Sequence, residues 1–220
     1  MSDLLSPFLA LPAYGIGGLA IVLLYALQSE IRFGARARTI RAGGADKKST
    51  LIVSICSAVP MIGFVLAMKE NSSGFVNWIP RWFRDAVIPG LPLVVWIGVG
   101  VGVAGLAIRL AAVLTLRERY TRTLMVGESH TIERNGPYRW VRHPGYLGSL
   151  LCLNGVALAS GNLVTAVASL VATLAAYAYR IKVEDEMLVA SLGAPYAQYR
   201  REVRALLPLS RSASDRLSGS

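Results

Sequence analysis

The residues of this 220-residue chain that could do chemistry gather in two stretches. The first runs His130-Thr131-Ile132-Glu133-Arg134-Asn135-Gly136-Pro137-Tyr138-Arg139-Trp140-Val141-Arg142-His143-Pro144-Gly145-Tyr146-Leu147-Gly148. Asn135-Gly136-Pro137 is a turn signal, and Pro144 suits a helix start, where its missing N–H costs nothing. Backbone donors at that start, with Arg142 and His143 beside them, make a cradle suited to a carboxylate such as that of an amino-acid headgroup. In the second stretch Arg180 and Glu184 stand i, i+4 on one helix face, so each can orient the other. Alone, such a pair is most often a solvated surface ion pair, and His143 alone is a helix-start residue. Their position beside one another at a membrane edge is what marks them for function.

The elements that must carry these residues follow from composition. The chain is 54% hydrophobic and 16% charged, with mean hydropathy +0.48, too apolar for an ordinary soluble domain. A membrane span needs roughly 20 apolar residues. Nothing ionisable lies between Asp3 and Glu30, which places a first span over Phe8 to Leu27. A second fits between Lys48 and Lys69, centred on Leu51 to Met68, and a third between Asp85 and Leu116, interrupted only by Arg109. From Pro144 to Tyr179 there is again no charge, but Ser160-Gly161-Asn162 divides the run into two helices of about 16 residues, a tight hairpin whose arms barely cross a bilayer. The expected fold is all-α and integral to the membrane, with about five transmembrane helices, three spans plus the hairpin 144–179, and a cytoplasmic helical tail. Residues 1–116 form the three-span region and 117–220 the catalytic region. Gly193 should end the tail's first helix, with Pro195 in the first turn of a second that reaches about Leu206 before Pro208.

Orientation follows from Lys and Arg, which cytoplasmic loops retain. Arg32, Arg36, Arg38, Arg41, Lys47 and Lys48 fill loop one, and Arg117, Arg119, Arg122, Arg134, Arg139 and Arg142 follow span three. The second loop offers Lys69, Arg81 and Arg84, beside Trp78 and Trp82, which read as an interfacial belt. This places the N-terminus outside and the tail in the cytoplasm. The net charge of +10 is thus explained by topology, with some affinity for anionic headgroups and without a nucleic-acid partner. No Lys or Arg precedes Arg32, so the first span is expected to stay attached and not to be cleaved as a signal peptide. Cys56 and Cys152 fall in apolar runs and read as small buried residues; no metal-ligand spacing occurs. Gly98 and Gly102 suit close helix packing, with a groove between helices as the other reading. Arg109 either snorkels to the cytoplasmic face or faces the site. Trp140 reads as an interfacial anchor.

The run Gly136-Pro137-Tyr138, Val141-Arg142-His143-Pro144, Tyr146 and Gly148 resembles the signature of the isoprenylcysteine carboxyl methyltransferase family and its bacterial relatives. Arg180, Glu184-Asp185, Leu188, Gly193, Tyr196, Tyr199 and Leu207-Pro208 continue the resemblance, with Asp185 standing where the family usually has a second Glu. The resemblance implies a cytoplasm-facing S-adenosylmethionine pocket closed by the hairpin and tail, with an amphiphilic or lipid-like methyl acceptor arriving from the bilayer. By motif position Gly136, Tyr138, Val141, His143, Tyr146 and Leu147 would line the cofactor, and Glu184, Asp185 and Tyr196 would close over it. Arg142, Arg180 and Glu184 would lie nearest the reaction.

Methyl transfer asks a protein mainly to align a nucleophile behind the methyl group and exclude water. A carboxylate acceptor needs only an arginine clamp, from Arg180 oriented by Glu184 or from Arg142. A thiol or amine would need a base, and Glu184 is placed to be one. The expected reaction is carboxyl O-methylation of a prenylcysteine-like or other amphiphilic acceptor. The alternatives are N- or S-methylation of a phospholipid or small molecule, an NADPH-dependent sterol-type reductase, for which the chain is short, and a module that keeps the fold without activity. The expected location is the bacterial inner membrane, or the endoplasmic reticulum if the source is eukaryotic.

Overall fold

The computed structural model describes residues 20–25, 48–70, 82, 85–86, 88, 91–116 and 132–207. Most of the first expected span, the basic part of loop one before Lys48, Trp78, Arg81, Arg84, Arg117 to Arg122 and Pro208 lie outside these residues.

Among the described residues every element is helical: residues 20–25, α1 (Ser49–Glu70), α2 (Leu91–Leu116), a 3-10 turn (Gly136–Arg139), α3 (Pro144–Ala159), α4 (Leu163–Leu192) and α5 (Ala194–Glu202). Long apolar runs become helices because a helix satisfies its backbone internally, which lipid cannot do for it. Three of them, Ser49–Leu66, Leu93–Leu116 and Leu163–Leu192, are long and apolar enough to cross a membrane. They carry outward faces of large apolar side chains, Leu163, Val167, Leu170 and Leu174 on α4 and Trp96, Val103, Leu110 and Leu114 on α2. A helix apolar on its outer as well as its inner face belongs in lipid. α3 has 16 residues, about 24 Å of rise against a hydrocarbon core of about 30 Å, so this arm falls short of a full crossing.

Glycines set the closest helix contact. A Cβ built on Gly98 would lie 2.6 Å from the Ala159 nitrogen, and one on Gly148 would lie 2.6 Å from the Arg109 nitrogen. α2 and α3 therefore touch backbone to backbone along their length, and the span-three glycines serve packing. Between α3 and α4 polar groups meet: Asn154 Nδ2 donates to Thr173 Oγ1 at 3.0 Å and accepts at Oδ1 from Ser169 Oγ at 3.1 Å. The expected break lies at Ser160-Gly161-Asn162. Gly161 has φ +68°, and the Asn162 side chain caps α4 by accepting from the Thr165 amide at 2.9 Å. Two backbone bonds, Ile88 N to Gly161 O and Leu163 N to Ala86 O, fasten this turn to the chain ahead of α2. Cys152 is buried and Cys56 half-buried, and both are free thiols.

α4 runs on without interruption from the apolar arm through Arg180 to Leu192 and stops at Gly193, φ +65°, as expected of a residue that needs no Cβ there. Pro195 sits in the first turn of α5. α5 ends at Glu202, short of the expected Leu206, because Val203 turns to extended backbone. The chain then runs beside the entry to α3, where the Arg204 and Ala205 carbonyls accept from the Arg142 and His143 amides at 3.0 and 3.1 Å. Two carbonyls turned to another segment cannot also continue a helix.

Candidate active site at the head of the hairpin

Three segments meet where α3 begins: the 3-10 turn, the middle of α4, and α5 with its extended tail. Asp185 joins them. Its carboxylate takes Arg142 Nε at 3.2 Å and Nη2 at 2.8 Å, His143 Nε2 lies 3.0 Å from Oδ1, and Tyr196 Oη donates to Oδ1 at 2.8 Å. Arg200 adds a longer ion pair of 3.6 Å. The remaining reach of Arg142 goes to the end of α5, where Nη1 donates to Val203 O at 2.7 Å and Arg200 O at 3.4 Å. A guanidinium on the last carbonyls of a helix satisfies groups that have no partner within it and complements the helix dipole. Burial, followed by the charge of Asp185, pushes the Tyr196 phenol up, so it remains a donor.

One turn away a second cluster forms around the Tyr146 hydroxyl. It accepts from Arg180 Nε at 3.0 Å and donates to Glu184 Oε2 at 2.5 Å. Arg180 is buried, 4% exposed, and its Nη1 donates to Ser49 Oγ at 2.8 Å and Thr50 Oγ1 at 2.6 Å at the first turn of α1. The His143 ring lies parallel to that of Tyr146, centroids 5.4 Å apart and planes at 8°. Its Nδ1 is 3.7 Å from Glu184 Oε2, so His143 stands between the two adjacent carboxylates.

The turn Gly136–Arg139 is held by α5. Tyr199 Oη donates to the Tyr138 carbonyl at 2.6 Å, Arg134 lies 5.1 Å over the Tyr199 ring, and Arg134 pairs with Glu202 at 2.8 Å. Burial pushes the Tyr199 phenol up to about 12, which keeps this donor protonated. Gly136 adopts φ +55°, and a Cβ on it would meet Thr115 Oγ1 at 2.9 Å at the end of α2.

The residues singled out from sequence thus fall into groups. His143, Tyr146, Arg180, Glu184, Asp185, Tyr196 and Arg142 form one continuous polar network. Gly136 and Tyr138 reach it through Tyr199 and α5. Val141 is buried and Leu147 half-buried alongside. The expected carboxylate cradle of backbone donors at the α3 start is different: the Arg142 and His143 amides go to the tail, those of Tyr146 and Leu147 go to the His143 carbonyl, and Pro144 has none. Trp140 is exposed, 59%, with Arg139 4.6 Å over its ring, as an interfacial anchor would be. Sequence reasoning missed Ser49, Thr50 and the tail carbonyls. Ser49 and Thr50 open the second span some 130 residues away from Arg180, and no local pattern connects them.

A bundle of apolar helices whose charged end is tied together by a hairpin head and a folded-back tail defines an integral, multi-pass membrane protein with one polar site at one end. The sequence profile of the isoprenylcysteine carboxyl methyltransferase (ICMT) family matches residues 96–190, which include both clusters. Protein-S-isoprenylcysteine O-methyltransferase A of Arabidopsis thaliana is 32% identical over 150 residues, 66% of this chain and 76% of that protein. Protein-S-isoprenylcysteine O-methyltransferase of Tribolium castaneum is 27% identical over 137 residues, 60% of this chain and 49% of that protein. The solved structure of a eukaryotic intramembrane Ras methyltransferase of the same name superposes over 94% of this chain and 68% of its own, with TM-score 0.55 at 18% identity, which shows a shared fold. The chain belongs to the isoprenylcysteine carboxyl methyltransferase family. It spans about half the length of the insect relative.

Proposed function

We propose that the chain is an S-adenosylmethionine-dependent carboxyl methyltransferase acting on a prenylcysteine-like or similarly amphiphilic acceptor. The observation that carries this reading is the Tyr146 hydroxyl set between a buried Arg180 and Glu184 at the level where the apolar hairpin meets the charged end. The family relatives are named for methylation of isoprenylcysteine, which supports the same substrate class here.

The donor set fits a nucleoside carrying an amino-acid headgroup. Glu184 offers a carboxylate to hydroxyl or ammonium donors, and the parallel His143 and Tyr146 rings offer aromatic faces. Gly136, Tyr138, Val141, His143, Tyr146, Leu147, Glu184, Asp185 and Tyr196 are the residues proposed to hold it. Bound S-adenosylmethionine would supply an activated methyl group, which a carboxylate takes up without losing a proton. Arg180, whose orientation Tyr146, Ser49 and Thr50 hold, clamps the acceptor carboxylate. Arg142 and Asp185 act one step back, fastening α5 and the tail over the head of α3 so that water is excluded. Residues 1–116 form the membrane frame and 117–220 the catalytic region, about five helices in all with the N-terminus outside and the tail in the cytoplasm.

The test is a reaction of the purified full chain in lipid nanodiscs with methyl-labelled S-adenosylmethionine and farnesylated cysteine bearing a free carboxylate. Base-labile methyl ester is the expected product. Saturable binding of NADPH without binding of S-adenosylmethionine would replace this reading with a reductase.

A further inference from the structure

Arg109 is the one charged residue between Leu93 and Leu116, the part of α2 apolar enough to cross a membrane. It does not reach outward. The residue is 7% exposed, Nη1 donates to Ser149 Oγ at 2.6 Å, and the guanidinium carbon lies 5.0 Å over the ring of Tyr25. The absent side chain of Gly148 lets α3 rest directly on the Arg109 backbone. An arginine held inside a membrane bundle is unfavourable unless it faces something that requires its charge.

What it faces is an aromatic and aliphatic cluster. Leu150, Leu153 and Tyr177 are buried at its centre, and Tyr25, Tyr146 and Leu206 pack around them while staying half-exposed. Tyr146 and Tyr177 approach with centroids 5.4 Å apart. Arg180 adjoins the same cluster from the other side, 6.0 Å over the Tyr146 ring. An apolar chamber bordered by two buried guanidiniums matches an amphiphile with an anionic head. Arg142 is bound to Asp185 and the α5 carbonyls, while Arg180 serves Tyr146, Ser49 and Thr50, so Arg109 supplies a second cation on the side of α2.

We infer that Arg109 binds the carboxylate of the acceptor and so selects carboxylate-bearing amphiphiles over neutral ones. This rests on the carboxyl-methyltransfer reading. The test measures binding of a farnesylated cysteine carboxylate and of its carboxamide to the full chain in zwitterionic nanodiscs, for wild type, Arg109→Gln and Arg109→Lys. Wild type should bind the carboxylate at least about tenfold more tightly than the carboxamide. Arg109→Gln should abolish that preference, weakening the carboxylate at least about tenfold while leaving the carboxamide and S-adenosylmethionine unchanged, and Arg109→Lys should recover part of it. Equal weakening of both probes means a structural role and overturns the inference, as does an unchanged carboxylate affinity. Repeating the measurement in anionic nanodiscs identifies the competitor: a loss of carboxylate binding there that Arg109→Gln does not show would assign the cation to a lipid headgroup and overturn the inference. A wild type that binds neither probe removes the carboxyl-methyltransfer reading itself.

Discussion

Asp185 holds the Arg142 guanidinium at both ends, Nε at 3.2 Å and Nη2 at 2.8 Å, and through that one pair the middle of α4, the entry to α3 and the end of α5 become a single body. Removing one member of a buried pair leaves the other charge uncompensated, at a cost of about 3 to 5 kcal/mol. Asp185→Asn should therefore lower the thermal midpoint and expose the segment from Gly193 to Leu207 to protease. Thermal unfolding and limited proteolysis in nanodiscs check this; a wild-type cleavage pattern would show that the tail is held by other means.

Tyr146→Phe keeps the ring that stacks on His143 but removes the hydroxyl between Arg180 and Glu184. The expected outcome is a fall in turnover of about tenfold, roughly 1.4 kcal/mol of transition-state stabilisation, with little change in thermal stability. Unchanged kcat would take Tyr146 out of the reaction.

Arg180 donates in two directions, to Tyr146 and to the Ser49 and Thr50 hydroxyls, and a planar fork does this where a point charge on a flexible stem does not. Arg180→Lys should thus resemble Arg180→Ala, each losing turnover by about tenfold or more. Steady-state kinetics compares them, and near-complete rescue by lysine would mean that charge alone matters.

Tyr199→Phe loses the bond to the Tyr138 carbonyl, a net contribution of about 1 kcal/mol. If that bond positions the turn for the cofactor, KM for S-adenosylmethionine should rise about fivefold with kcat nearly constant. The same phenol sets a pH window. An unfolded tyrosine ionises near pH 10, whereas Tyr199 does so only at about 12. The folded chain holds the proton more tightly in between, so stability is full below about pH 10 and declines as pH rises toward 12. Thermal midpoints across that range should fall less steeply in Tyr199→Phe.

Gly148→Leu tests the helix contact. With the Arg109 nitrogen 2.6 Å from a first added carbon, α2 and α3 must separate, and a destabilisation of at least about 1 to 3 kcal/mol is expected from thermal unfolding.

The membrane class, the spans from Lys48 onward, the break at Ser160-Gly161-Asn162 and the stop at Gly193 were all legible in the order of residues, because charge-free length, turn chemistry and a positive φ are local properties. Also legible was the i, i+4 relation of Arg180 and Glu184. What tertiary structure decided is which partner each polar group takes. Arg142, alike in type to Arg180 and equally eligible from its position, is drawn to Asp185 and the α5 carbonyls, while Arg180 turns to Tyr146 and the head of α1. Tail carbonyls claim the amides of Arg142 and His143, and Arg109 turns inward to Ser149. Those choices depend on helices far apart in the chain meeting at one level, and the glycines that allow their close approach reveal the contact only once the partner helix is in place.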